Sequence, residues 1–225
     1  MSYTIEGITC SMGNLDYKIF YKRHLPHFQP PSATLFITFR LANSLPSEML
    51  QRLNEEARQV ERMLAGISDL QDRIQKADLM DRRLFGVWDR VLDAAECGPR
   101  YLQDRRIADL MAESLHHREN RVFCLDAFCI MPNHVHLVCK PLLKDDESYN
   151  AISSILHSLK RYTARQSNKI LGKEGAFWQH ENYDHVIRDE EEWKRIINYV
   201  VENPVKAGLV HHWREWEWTY SQYAV

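Results

Sequence analysis

His134 and His136 stand one residue apart in the run MPNHVHLV. In an extended strand alternate side chains share a face, so the two imidazoles point the same way while Val135 and Leu137 point into the opposite layer. Side by side they form a metal-ligand pair. The plainer reading is two surface histidines on an amphipathic strand, and a third ligand is needed to separate the two. Further along, a helix beginning after Asp189 carries Trp193, Ile196, Ile197 and Val200 as a buried stripe, which leaves Tyr199 and Asn203 four residues apart on a neighbouring face. A hydroxyl nucleophile and an amide oxygen therefore travel together. Taken singly, Tyr199 reads as a core or rim aromatic and Asn203, just before Pro204, as a helix stop.

The elements that must position these groups follow from periodicity. TLFITFR (Thr34 to Arg40) alternates and is rich in β-formers, so it reads as a strand that Asn43 to Pro46 ends. From Ser47 to about His117 the pattern is helical, with Leu50, Leu53, Ala57, Val60 and Leu64 at helical spacing; Gly66 and Cys97-Gly98-Pro99 divide it into two or three helices. VFCLDAFCI, the turn Pro132-Asn133 and HVHLVCK form a hairpin. Ile152, Ile155, Leu156, Leu159 and Thr163 mark an amphipathic helix, and a short strand is expected around His185 to Ile187. Asp189 with Glu192 three residues on makes a capping box for the last helix, which Pro204 should stop. This order is that of a ferredoxin-like α+β fold: an antiparallel sheet with helices on one face and a helical insertion, at about residues 47–118, between the first two core strands. One domain over the 225 residues is the expectation.

Composition excludes several classes. No window approaches the roughly 18 apolar residues of a membrane span, and the opening MSYTIEGITCSMG lacks the features of a signal peptide, so no membrane association and a cytoplasmic location are expected. The cysteines Cys10, Cys97, Cys124, Cys129 and Cys139 are odd in number and none forms a CxxC pair, which speaks against a disulfide framework and a thiolate zinc site. A net charge of −2 hides local basic surfaces. Tyr17 to Arg40 holds Lys18, Lys22, Arg23 and Arg40 with no acid, and Ser148 to Lys173 holds Lys160, Arg161, Arg165, Lys169 and Lys173 with none. The five on the amphipathic helix are candidate DNA-backbone contacts. Phe177, Trp178 and Tyr183 are candidates for stacking on unpaired bases, with core packing an equal reading for each.

MPNHVHLV, FWQHENYDHVIRDEEEW and INYVVENPVKAGLV together resemble the REP-associated tyrosine transposases, relatives of the insertion-sequence transposases with one catalytic tyrosine, and KRHLPHFQPPSATLFITFRLA resembles the first strand region of some members. The likeness is weakest from Ser47 to Asn120. It implies the fold of HUH endonucleases, Tyr199 as nucleophile, and His134, His136 and Asn203 as metal ligands. It also implies magnesium or manganese, single-stranded hairpin DNA as substrate, and a 5′-phosphotyrosine intermediate in a monomer or homodimer. Zinc ranks second, because it favours three histidines or a carboxylate. Tyr162, on the basic helix at the edge of the apolar stripe, is a rival nucleophile whose expected role is packing. Two other classes compete: a hairpin-binding protein that does not cut, derived from a transposase, and a histidine-triad hydrolase. The latter needs H-x-H-x-H, and the third place here is Val138.

Overall fold

The structure is a computed structural model that describes residues 32–94, 98–144 and 148–223, with the backbone of two short ladders nearer the N-terminus, Thr4–Ile5 with Ile8–Thr9 and Phe20–Lys22 with Pro26–Phe28. Cys10, Cys97 and the side chains of Lys18, Lys22 and Arg23 lie outside the described residues. The main sheet has five strands: β1 (Leu35–Leu41), β2 (Phe123–Ile130), β3 (His134–Pro141), β4 (Trp178–Val186) and β5 (Thr219–Ser221). Their spatial order is β4-β1-β3-β2-β5, with every pairing antiparallel. The helices are α1 (Ser47–Ala65), α2 (Leu70–Ala94), α3 (Arg105–His116), α4 (Ile152–Leu171) and α5 (Glu190–Lys206). Removing α1, α2, α5 and β5 leaves βαββαβ with antiparallel order 4-1-3-2, the ferredoxin-like arrangement.

Strand alternation sorts the core into two. Leu35, Ile37, Phe39 and Leu41 of β1 join Val135, Leu137 and Cys139 of β3 beneath the crossover helices α3 and α4. Phe36, Thr38 and Arg40 project to the other face, in register with His134 to Val138. The expectation placed helices on one face only. α3 and α4 do share one, but the second face is covered as well, by Ile197 and Val200 of α5 and by Phe85 and Trp88 of α2. Both faces of β1 are consequently buried, although its sequence reads as half-exposed alternation.

Two further differences bear on the site. β4 runs the nine residues Trp178–Val186 rather than a short stretch at its end. Its alternate Tyr183 and His185 face the second core while Asn182 and Asp184, mutually bonded at 3.1 Å, are polar, which disguises the strand in sequence. Pro204 lies inside α5 instead of ending it. Proline removes only its own N–H. The chain continues helical until Gly208 at φ 68° turns it, with Ala207 N–H still bonded to the Asn203 carbonyl at 2.9 Å.

Candidate active site

β3 sets His134 and His136 on the second face, both fully buried. Each ring is oriented through its Nδ1. Asn133 donates Nδ2–H to the Leu92 carbonyl at 3.1 Å, which turns its Oδ1 to His134 Nδ1 at 2.7 Å. An acceptor at that place holds the proton on Nδ1 and leaves a lone pair on Nε2. His136 Nδ1 meets the Thr38 hydroxyl at 2.8 Å, which can serve in the same way. Burial lowers the His134 pKa to about 3 and holds His136 well below its ordinary value, so both rings are neutral at pH 7. Their Nε2 atoms lie 3.0 Å apart.

α2 supplies two carboxylates to the same point. Asp89 and Asp93 are one turn apart, hence on one helix face. Asp93 Oδ1 is 3.5 Å from His134 Nε2 and Asp89 Oδ1 is 3.6 Å from His136 Nε2. Burial, with the neighbouring Asp93 charge, raises Asp89 to about 8 against the opposing pull of Lys206; burial likewise raises Asp93 to about 6, opposed by Lys206 and the Asn203 amide. Asn203 is fully buried and near enough to act on Asp93, yet neither of its amide atoms has a partner of hydrogen-bond geometry; Asp89 Oδ1, Asp93 Oδ1 and the Tyr199 hydroxyl lack one too.

An unpartnered buried polar group costs about 1–3 kcal/mol. Several of them meeting two bare imidazole nitrogens therefore call for a cation. Donor atoms of Asp89, Asp93, His134 and His136 all lie within 4.8 Å of one another, and the cluster could hold a divalent metal ion. The nitrogen spacing fits: two metal–nitrogen bonds of about 2.1 Å at a right angle separate the nitrogens by about 3.0 Å.

Tyr199 stands beside this cluster, its ring 5.5 Å from that of His136 and 5.9 Å from Phe36. The Lys206 ammonium sits 4.3 Å over the tyrosine ring. Phe85, Asp89, Arg90, Asp93, Tyr199 and Lys206 line an open cleft of about 740 Å³. The Tyr199 ring, the Arg90 and Lys206 cations and the two carboxylates of the candidate ion site thus line one opening, an arrangement suited to a phosphodiester.

The expected site residues fall into two groups. Tyr199, His134, His136 and Asn203 come together as described. Lys160, Arg161, Arg165 and Lys169 lie on α4, with Lys173 just past its Gly172 cap, across the sheet from the histidines. Lys160 is engaged with the Gln179 and His180 carbonyls at 3.1 and 3.2 Å, and Lys173 with the Tyr101 hydroxyl at 3.0 Å. Arg161, Arg165 and Lys169 are exposed, and Arg165, Lys169 and Lys173 border a shallow groove with Asn168. Phe177, Trp178 and Tyr183 are buried, so for these three the core reading holds. Tyr162 is 47% exposed rather than packed, again on the far side from the histidines. Sequence reasoning missed Asp89, Asp93 and Lys206. The signal available was the pair of acids four apart in WDRVLD, and the lysine of NPVKAG.

Residues 101–203 match the family model described as "Transposase IS200 like". A Haemophilus influenzae protein named "Putative REP-associated tyrosine transposase" is 32% identical over 98 residues, which are 41% of this chain and 56% of that protein. The Escherichia coli "REP-associated tyrosine transposase" is 26% identical over 99 residues, 44% of this chain and 54% of that one. The chain spans about half the length of these curated relatives. Among solved structures, that of a REP-associated tyrosine transposase bound to a REP hairpin aligns with 88% of this chain and 80% of its own at TM-score 0.46 and 17% identity. The resemblance seen in the sequence is found again in the family model and in the curated relatives. Asp89 and Asp93 fall outside the matched stretch.

Proposed function

We propose, with the match of residues 101–203 to the IS200-like transposases as premise, that this protein is a metal-dependent tyrosine transesterase that cuts and rejoins single-stranded, hairpin-forming DNA. The observation that carries the reading is the unpartnered Tyr199 hydroxyl beside the buried histidine, carboxylate and amide cluster. Tyr199 oxygen bonds to the phosphorus as the phosphorus–O3′ bond breaks, and the phenolic proton goes to solvent while the departing oxygen ends as a 3′-hydroxyl. The product is a 5′-phosphotyrosine, and attack by a 3′-hydroxyl reverses the step without ATP because the ester bond is conserved. An ordinary tyrosine has a pKa near about 10. The Lys206 ammonium, 4.3 Å over the ring, places a positive charge beside the nucleophile.

His134, His136 and Asn203 would hold magnesium or manganese. The bound ion supplies Lewis-acid polarisation of the scissile phosphate. Two imidazoles with oxygen donors and the right-angled nitrogen spacing suit an octahedral ion better than tetrahedral zinc.

One observation favours a second reading, that of a hairpin-binding protein that does not cut: α2 covers both histidines completely. Labelled hairpin DNA incubated with manganese and run on a denaturing gel separates the two. A covalent protein–DNA band that His134→Ala and His136→Ala lose, while still binding the hairpin, is the expected result. Hairpin binding by the wild type with no adduct would establish the second reading instead.

A further inference from the structure

Residues 70–94 lie outside the family match, yet the last part of α2 is seated on the candidate centre by four kinds of contact. Phe85 stacks on Tyr183 with ring centroids 4.0 Å apart and meets Phe36 edge-on at 5.5 Å. Arg82 pairs with Glu192 at the start of α5 at 3.0 Å. The Leu92 carbonyl takes the Asn133 amide, the same residue that orients His134. Asp89, 4% exposed, and Asp93 then aim unpartnered oxygens at the two imidazoles. The hydrophobic and ionic contacts explain why α2 docks. They do not explain why its docked face carries two carboxylates whose Oδ1 atoms make no hydrogen bond and meet only neutral imidazoles, at 3.5 and 3.6 Å. A cation bound by the histidines removes that cost.

We propose that Asp89 and Asp93 are metal ligands supplied by the inserted helix, so that the ion held by His134, His136 and Asn203 also clamps α2 across the active site. This rests on the metal-dependent reading above. His134 Nε2, His136 Nε2, the Asn203 amide oxygen and one oxygen from each aspartate make five donors, against the six positions of an octahedral ion. A resting centre of this kind leaves one position open, and a phosphate that needs two must displace a carboxylate of α2. The insertion thereby regulates access to the nucleophile Tyr199, whose cleft α2 also walls.

The full chain, stripped of metal and titrated with manganese, tests this by calorimetry and by hydrogen exchange of residues 82–94. The wild type should bind one manganese ion and gain exchange protection in that segment. Asp89→Asn with Asp93→Asn should weaken manganese binding by about tenfold or more and lose the gain in protection. Amides fill the same space without charge, so the metal-free Tm of this variant should equal or exceed that of the wild type, and a matched Tm shows that lost binding is not lost folding. Wild-type affinity in the double variant, with His134→Ala deficient, would overturn the clamp and leave the metal-dependent reading standing. No manganese binding by the wild type would overturn both.

Discussion

Tyr199 carries the chemistry proposed here through a hydroxyl that holds nothing else together. Its oxygen has no hydrogen-bond partner, while its ring packs against Phe36 and His136. Tyr199→Phe should therefore abolish the covalent adduct and leave Tm equal to or above that of the wild type, because it removes an unpartnered buried hydroxyl and no hydrogen bond is lost. Tyr162→Phe, on the opposite side of the sheet, should form the adduct normally, with the modified tyrosine identified by mass spectrometry. A nucleotide on Tyr162 would transfer the nucleophile's role. Asn203 obeys a related logic. It is buried with both amide atoms unsatisfied, so Asn203→Leu should leave the metal-free protein as stable or more stable, and should reduce the rise in Tm that manganese produces.

At the scale of elements, α2 is held to the sheet by a small number of identifiable contacts, and one of them titrates. Burial alone would raise Glu192, but the Arg188 N–H, His185 and Arg82 outweigh it and lower its pKa below the usual glutamate value. A depressed carboxylate stabilises the fold above its unfolded pKa of 4.5, and that stability is lost as pH falls through the lower folded value. The docking of α2 should accordingly weaken on acidification below about pH 4.5. Trp88, packed on the second core from α2, is a fluorescence probe for this, and Glu192→Gln should flatten the acid limb of the titration. Phe85→Ala removes the ring lodged between Phe36 and Tyr183 and should destabilise the same docking by about 1–3 kcal/mol, read as faster hydrogen exchange in residues 82–94. Unaltered exchange there would mean that the ring stacking contributes little.

Across the whole molecule, the sheet separates two surfaces that one strand of DNA would have to reach. The candidate centre lies on the α5 side, and the exposed Arg161, Arg165 and Lys169 lie on the α4 side. Contacts from α4 would fall on a part of the substrate away from the scissile phosphate, such as a hairpin stem. Replacing the three residues with alanine should weaken hairpin binding and make the log–log salt slope shallower by about 2–3, since each neutralised phosphate contributes about 0.7–0.9. The adduct should still form at saturating DNA. An unchanged slope would place the DNA elsewhere. Lys160 belongs to a different category, because its bonds to the Gln179 and His180 carbonyls tie α4 to β4.

The sequence by itself determined the strand-borne histidine pair, the capped helix with Tyr199 and Asn203 one turn apart, and the βαββαβ order. Each of these is written in local periodicity, which side-chain chemistry enforces over a few residues. β4 was legible only at its end, because its buried Asn182 and Asp184 are polar groups bonded to each other, and β5 is too short for any pattern. The partners of the histidines could not be read at all. Asp89 and Asp93 look like the solvated face of a charged helix, and only the folding of α2 back over the sheet, with Phe85 against Tyr183 and Arg82 against Glu192, buries those two acids beside residues more than forty positions away. Long-range docking of this kind depends on shape and charge complementarity between distant segments, which no local pattern encodes.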